Sequence, residues 1–175
     1  HYISNGYAGA IHLHDGPRKG FAQNFLSLVR KESIAADYYV FCDQDDVWLP
    51  GKLERALTFL DKEDPLRPFL YCSRTRLIDE RGNPIGFSSL FGRPAGFSNA
   101  LVQSLAGANT MLFNNAARNM LRQVPLTADV VSHDWLAYML VSGCGGEVFY
   151  DSQSFINYRQ HESNLVGANA SLLER

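Results

Sequence analysis

Three carboxylates crowd into one short segment, YVFCDQDDVWLP, which covers residues 39–50. Crowded carboxylates repel one another and lose hydration unless a positive charge lies among them. Asp43 and Asp45 are two residues apart, so on an extended turn both side chains can point the same way. Oxygen ligands of this kind suit Mg²⁺ or Mn²⁺, and Mg²⁺ usually takes one or two protein carboxylates together with substrate phosphates. The pattern therefore predicts a divalent-cation site at Asp43 and Asp45, with a solvated turn as the competing interpretation and Asp46 assigned to capping the helix after Pro50.

The elements that would position these carboxylates alternate between strand and helix signals. Short runs with strand character are GAIHLHD, DYYVFC, PFLYCSRTRLID, GANTMLFN and GEVFYD. Helical spacing of apolar residues is found in FAQNFLSLVRKES, LPGKLERALTFLDKE, NNAARNMLRQV and HDWLAYMLVSG, and Asn114 or Asn115 and Ser132 are the expected caps of the last two. Residues 86–98 read as a long loop rich in Gly, Ser, Phe and Pro. The alternation predicts an α/β sandwich around a mostly parallel sheet, in which ligands gather at the carboxyl ends of the strands.

The overall composition fits one globular domain. The chain has 175 residues, of which 46% are hydrophobic, and this is enough for a single core. A net charge of −2 gives no general attraction to nucleic acid or to acidic membranes. Three cysteines without metal-type spacing predict reduced thiols in a cytoplasmic protein, and the apolar runs fall short of the roughly 20 residues of a membrane span.

Several segments, taken in order, resemble one enzyme family. ADYYVFCDQDDVWLPGKLERAL resembles the acidic segment of family 2 glycosyltransferases, which are inverting enzymes with the GT-A nucleotide-diphospho-sugar fold. DQDDVW followed by a proline and a Lys-Leu pair is similar to the rhamnosyltransferase-like branch. GFAQNF, AGANTMLFN, SHDW and YRQHESNLVG occur in the matching order, so the resemblance extends from about residue 20 to 167. It implies transfer of a sugar, with dTDP-rhamnose as the favoured donor, to a cell-surface polysaccharide or a lipid-linked acceptor.

The resemblance implies roles for the predicted metal site. Asp45 would bind a Mg²⁺ or Mn²⁺ ion directly, and Asp43 would bind either the metal or the ribose of the nucleotide. His161 would join the metal or the diphosphate, although a lone histidine is as easily a surface residue. A metal in this position would act as a Lewis acid on the departing diphosphate.

Further residues match positions that line the donor pocket. Asn24 and Lys19 fall in the segment that borders the nucleotide-sugar in the family. Asn109, among small residues, could bond sugar hydroxyls, or it could belong to a tight strand entry. Arg159 could grip phosphate oxygens with its planar guanidinium, or it could pair with Glu162 at the surface.

The segment SHDW carries the expected base and acceptor contacts. Asp134 matches the family's general base, and inversion by single displacement needs such a group to take the proton of the acceptor hydroxyl. An aspartate in the first turn of a helix is also favoured by the helix dipole alone, so a purely local role is the alternative. His133 and Trp135 are the expected acceptor contacts, because an aromatic ring at a pocket mouth can stack on a sugar. Phe87, Phe91 and Phe97 of the long loop would either line the acceptor site or pack on the core.

One feature of the family is missing from the sequence. Its opening strand and a second strand carrying a base-reading aspartate have no counterpart, so the amino-terminal part of the nucleotide-binding subdomain is expected to be absent. The expected fold is thus a single GT-A-like α/β/α domain over residues 1–175, with donor binding in about 1–80 and acceptor binding and the base in about 81–175. The full-length protein is expected to be cytoplasmic, with peripheral association with the inner face of the membrane. The competing functions are a non-catalytic carbohydrate-binding remnant and a Mg²⁺-dependent phosphotransferase or hydrolase.

Overall fold

The computed structural model describes residues 11–160. The α-helices of these residues are α1 Phe21–Val29, α2 Lys52–Leu60, α3 Phe97–Ala100, α4 Asn115–Arg122 and α5 His133–Gly143. All but the short α3 follow the predicted segments. The strands are β1 Tyr38–Val40, β2 Val47–Trp48, β3 Phe69–Ser73, β4 Arg76–Ile78, β5 Pro84–Phe87, β6 Leu112–Asn114, β7 Glu147–Asp151 and β8 Ile156–Arg159. No helix in this part of the chain is long and apolar enough to cross a membrane.

The strands form two four-stranded sheets instead of one. The first sheet has the order β1-β6-β3-β7 and the second the order β2-β8-β4-β5. Among the described strands only β3–β7 and β4–β8 are parallel pairs, so the prediction of a mostly parallel sheet is wrong. The reason is β6, which runs antiparallel to both β1 and β3 and so separates two strands that share one direction. The sequence gives the order of the helices and strands. The direction of a strand relative to its neighbours depends on the path of the connection between them, which the sequence pattern does not show.

The first sheet is covered by helices on both faces because its side chains alternate. Leu70 and Cys72 of β3 pack into a core with residues of α1, α3, α4 and α5. Phe69 and Tyr71, their neighbours in sequence, pack on the opposite face with Ala56 and Leu60 of α2. Residues i and i+2 of a strand share a face, so one strand serves both cores. The result is a layered α/β arrangement around the first sheet.

Two of the predicted strands differ from the strands of the structure. The run PFLYCSRTRLID is divided at Arg74 and Thr75, where the chain leaves β3 in the first sheet and enters β4 in the second. The chain also passes from the first sheet to the second between β7 and β8. At this second crossing β7 pairs in parallel with β3, and β8 pairs in parallel with β4. The strand predicted for GAIHLHD is wrong over residues 11–15, which have no regular structure.

Other boundaries shift for local reasons. GANTMLFN begins as a 3₁₀ turn, Ala108–Thr110, and becomes a strand only at Leu112. The long loop expected at residues 86–98 begins with the end of β5 and closes with the start of α3. The caps Asn114 and Ser132 are confirmed, since their side chains accept the backbone N–H groups of Ala117 and Trp135. The functional division near residue 80 stays a prediction.

Candidate functional site

The acidic loop, defined as residues 43–46, joins the two sheets between β1 and β2. Asp46 is fixed at both oxygens, because Asn109 donates to Oδ2 and the backbone N–H of Arg159 donates to Oδ1 at 3.1 Å. The capping role assigned to Asp46 is therefore wrong. The residue at the cap position of α2 is Gly51 with φ of 84°, and no side chain caps this helix.

Asp43 is affected by the charges of three other carboxylates. Its side chain is half-buried, and burial together with the negative charges of Asp46, Asp45 and Asp134 raises its pKa to about 6. Burial disfavours the charged form of an acid, and nearby like charges act in the same direction. Asp134 is among the charges that act on Asp43, so the start of α5 lies near the acidic loop although the two are far apart in sequence.

Asp134 is held rigidly at the first turn of α5. One oxygen accepts from the Ser132 hydroxyl and, at 2.7 Å, from the backbone N–H of Trp135. The other oxygen accepts from the backbone N–H of Ala108 at 3.1 Å. This last bond joins α5 to the 3₁₀ turn that contains Asn109. Two acidic residues predicted for different roles, Asp43 and Asp134, thus face one site.

The two aromatic neighbours of Asp134 lie in different surroundings. Trp135 is half-buried, and its indole N–H donates to the carbonyl of Ala100 at 2.6 Å. His133 is only 3% exposed, with its ring stacked on Phe25 at 4.2 Å and edge-on to Phe41 at 4.6 Å. Burial lowers the pKa of His133 to about 4, against the opposing effect of Asp134, so the imidazole is neutral. His133 is therefore a core residue, and its burial argues against the direct acceptor contact that was predicted.

Arg159 ties the acidic loop to the second sheet. Its guanidinium donates to the carbonyl of Asp45 at 3.1 Å and to the carbonyl of Glu80 at 2.8 Å. A third bond reaches the carbonyl of Asp79 at 3.3 Å. Asn109 is likewise 3% exposed and bonded to Asp46. Both predicted donor contacts thus support the loop, and their direct binding to a nucleotide-sugar stays a prediction.

The other predicted donor residues border a separate hollow. Asn24 lines a cavity of about 340 Å³, and Lys19 is an exposed residue beside it. The remaining lining residues are Asp15, Gly16, Arg18, Gly20 and Phe21. Asn24 Oδ1 lies so close to Gly16 that a Cβ there would stand 1.9 Å from it, so a larger residue at position 16 would require the Asn24 side chain to move. Nucleotide-sugar binding at Asn24 and Lys19 stays a prediction, and His161 lies outside the described residues.

The aromatic residues of the long loop do not act as one wall. Phe91 packs edge-on against Tyr150 with ring centroids 5.6 Å apart and so tucks toward the core. Phe87 is 53% exposed, with the guanidinium of Arg74 over its ring at 4.9 Å. Phe97 is also exposed and approaches Gly143 of α5.

A cation that sequence reasoning missed lies beside the acidic loop. Lys52, the first residue of α2, is 6% exposed, and its Nζ lies 4.1 Å from the centroid of the Trp48 ring. Burial lowers its pKa to about 8, while the charges of Cys42 and Asp46 act in the opposite direction. The sequence feature that could have indicated this contact is the position of Lys52 shortly after Trp48 in DVWLPGK, because an ammonium group can lie over a tryptophan ring.

The residues present suit a hard divalent cation with help from a substrate. Within residues 11–160, no three or more His, Cys, Asp or Glu side chains are grouped so that they could hold a metal ion. Mg²⁺ needs fewer protein ligands when phosphates complete its shell, and Asp43 and Asp45 supply the oxygen chemistry it prefers. Burial, and after it repulsion from the neighbouring carboxylates, raises the pKa of Asp43. A divalent cation would relieve this repulsion.

Comparison with known proteins gives one distant relative. No protein-family model matches the chain. A Shigella flexneri protein named dTDP-rhamnosyl transferase RfbG is 26% identical over 161 residues, covering 87% of this chain and 53% of that protein. The chain thus spans about half the length of this relative. The similarity supports a glycosyltransferase-like relationship, and the mixed α/β architecture is compatible with it.

Proposed function

We propose that the chain carries the catalytic centre of an inverting glycosyltransferase that uses a nucleotide-diphospho-sugar. The observation that carries this proposal is the hydrogen-bonded connection between Asp134 and the acidic loop: Asp134 accepts from the backbone N–H of Ala108, and the next residue, Asn109, donates to Asp46. A base and a diphosphate-binding group must lie on opposite sides of one sugar carbon for inversion. The distant relative's name makes dTDP-rhamnose the donor to test first.

Asp134 takes the proton of the acceptor hydroxyl in this mechanism. Its carboxylate is aimed by donors from Ser132, Trp135 and Ala108, so little reorganisation is needed when the proton moves. The acceptor oxygen forms a bond to the sugar carbon as the bond from that carbon to the diphosphate oxygen breaks. The nucleoside diphosphate leaves with both bonding electrons, and the configuration at the carbon inverts.

Asp43 and Asp45 would hold the divalent cation in the full-length protein. When bound, the cation would supply Lewis-acid stabilisation of the departing diphosphate. Asp46, Asn109 and Arg159 keep the loop in place through hydrogen bonds at both ends. The acceptor class, a surface polysaccharide or a lipid-linked saccharide, follows from the resemblance and is part of the proposal.

The test is a calorimetric titration of dTDP and UDP into the full-length protein, with and without Mn²⁺. We expect Mn²⁺-dependent binding of one nucleotide, and we expect Asp45→Ala to abolish it. Asp61→Ala is the control, because Asp61 is an exposed residue at the end of α2. Equal nucleotide binding with and without Mn²⁺ would contradict the proposed role of the metal. Saccharide binding without any nucleotide binding would favour a carbohydrate-binding module.

A further inference from the structure

Lys52 is a charged residue that is only 6% exposed, and within residues 11–160 it forms no ion pair. Ion pairs in residues 11–160 join Arg55 to Asp151, Arg67 to Glu147 and Arg122 to Glu32, and none of them involves Lys52. The contact found for Nζ is the face of the Trp48 ring at 4.1 Å. Lysine is almost never this deeply buried unless it is paired, because desolvation of the charge is costly.

Asp46 is the carboxylate whose charge acts on Lys52, and its hydrogen bonds in the structure are made with other groups. Its two oxygens accept N–H groups from Asn109 and Arg159. Those neutral donors fix Asp46 without compensating its charge. Lys52 and Asp46 form no ion pair with each other, although the charge of Asp46 acts on Lys52.

The start of α2 adds positive character at the same place. Lys52 is the first residue of a nine-residue helix, and no side chain caps this helix, although the N–H of Lys52 itself donates to the carbonyl of Leu49 at 3.2 Å. The dipole of such a helix end favours anions. A buried ammonium and an uncapped helix start thus lie next to the carboxylates that would hold a divalent cation.

We propose that Lys52 is a ligand of the donor's diphosphate and binds its oxygens from the side of the acidic loop. The indole of Trp48 keeps the ammonium in place until the anion arrives. The identification of the diphosphate with that of a nucleotide-sugar rests on the proposed function, whereas the anion site itself rests on Lys52, Trp48 and the start of α2.

The test uses inorganic pyrophosphate with Mg²⁺, titrated calorimetrically into the full-length protein and its variants. We expect Lys52→Met to weaken binding by roughly 10- to 100-fold, the usual effect of losing one charge-assisted hydrogen bond. Lys52→Arg should recover part of the loss because it restores the charge. Lys62→Met is the matched control, since Lys62 also lies over an aromatic ring, Phe59 at 6.0 Å, but just beyond the other end of α2.

A second measurement needs no change at Lys52. The tryptophans of residues 1–175 are Trp48 and Trp135, so the emission comes from Trp48 alone in a protein in which Trp135 and every tryptophan outside these residues are replaced by phenylalanine. Pyrophosphate should shift this emission as the ammonium moves from the ring to the anion. If Lys52→Met does not fold, this change in Trp48 emission tests by itself whether Lys52 binds the anion.

The outcomes separate this proposal from the proposed function. Equal pyrophosphate affinity in the wild type and Lys52→Met, or no binding and no change in Trp48 emission in the wild type, would overturn the role of Lys52. Metal-dependent binding of dTDP or UDP that survives Lys52→Met would also overturn it while leaving the glycosyltransferase intact. Pyrophosphate binding lost in Lys52→Met, without any binding of either nucleotide, would support the anion site and count against the nucleotide-sugar donor.

Discussion

At the scale of single residues, the site depends on acids whose properties are set by their neighbours. Asp43 and Asp134 are the same residue type, yet one is crowded by like charges and the other is held by three donors. Hydrogen bonds from donors stabilise the charged form of a carboxylate. Neighbouring negative charges destabilise that form, and a bound cation would offset their repulsion. The two environments thus suit different tasks within one site.

Replacement of Asp134, the proposed base, should separate the chemical step from donor binding. We expect Asp134→Asn to lower kcat by about 10²- to 10⁴-fold, the range for loss of a general base, with little change in donor affinity. The amide keeps an oxygen that can accept the Trp135 N–H, so the helix start should survive. Steady-state kinetics and donor titration on the same preparation provide the measurement.

Asp129→Asn is the control for the base, because Asp129 is exposed in the loop that leads into α5. Its kinetic constants should match the wild type. A fall of less than threefold in kcat for Asp134→Asn would remove Asp134 from the catalytic role.

Crowding at Asp43 should also affect stability in a pH-dependent way. The folded pKa of about 6 is above the ordinary value of 3.8, so the folded state binds the proton more tightly. The contribution of Asp43 to the free energy of unfolding is therefore fully present below about pH 4 and is lost as the pH rises to about 6. Above that pH, Asp43→Asn should stabilise the fold by about 1 kcal/mol after allowance for solvent screening.

Urea unfolding of wild type and Asp43→Asn at pH 4 and pH 8, without divalent cations, measures this difference. Asp37→Asn, an exposed residue before β1, serves as the control and should show no comparable gain. A destabilised Asp43→Asn at pH 8 would mean that the carboxylate makes favourable contacts that outweigh the crowding.

At the scale of elements, one buried side chain connects two strands and a helix. Asn114 ends β6 and caps α4 by accepting the backbone N–H of Ala117 at 3.0 Å. The same oxygen accepts the backbone N–H of Phe69 in β3 at 3.1 Å, and the side-chain N–H₂ donates to the carbonyl of Arg67 at 2.7 Å. The cap predicted from sequence thus also fixes the position of β3 beside β6.

Loss of this side chain should be costly. We expect Asn114→Ala to lower the free energy of unfolding by about 2–4 kcal/mol, because it removes a cap and leaves buried backbone groups unpaired. Asn119→Ala, at an exposed position of the same helix, should stay within about 0.5 kcal/mol of the wild type. Urea denaturation of both variants makes the comparison, and equal stabilities would contradict the role given to Asn114.

At the scale of the whole molecule, the candidate site lies where the two sheets meet. β1 of the first sheet leads into the acidic loop, and β2 of the second sheet leaves it. Arg159, at the end of β8, bonds to the carbonyls of Asp45 and Glu80 and so connects the loop to the second sheet. A change in the relation of the sheets would therefore move Asp45.

The cysteines offer a global probe of this packing. All three are free: Cys144 and Cys42 are exposed, whereas Cys72 is fully buried in the first sheet. We expect a thiol reagent at pH 8 to modify Cys144 first and Cys42 more slowly, because burial raises the pKa of the Cys42 thiol. Cys72 should react only on global unfolding, and peptide mass spectrometry over time would show the order. Early modification of Cys72 would mean that the first sheet opens locally.

Sequence alone determined the local features of this protein. Apolar spacing identified α1, α2, α4 and α5, short polar side chains identified the caps Asn114 and Ser132, and the residue types of the acidic loop suggested cation chemistry. These features depend on contacts within a few residues, which a single sequence contains. The similarity in motif order also suggested the glycosyltransferase relationship, which the distant relative supports.

Only the tertiary structure decided strand direction, the division into two sheets and the environment of each polar group. The side chain of Asp46 was expected to cap α2 but instead accepts from Asn109 and Arg159, and His133 turned inward to stack on Phe25. Lys52 gained its place beside the acids only because α2 starts directly under the Trp48 ring. Burial, pairing and charge coupling join residues that are distant in sequence, so they arise only when the chain has folded.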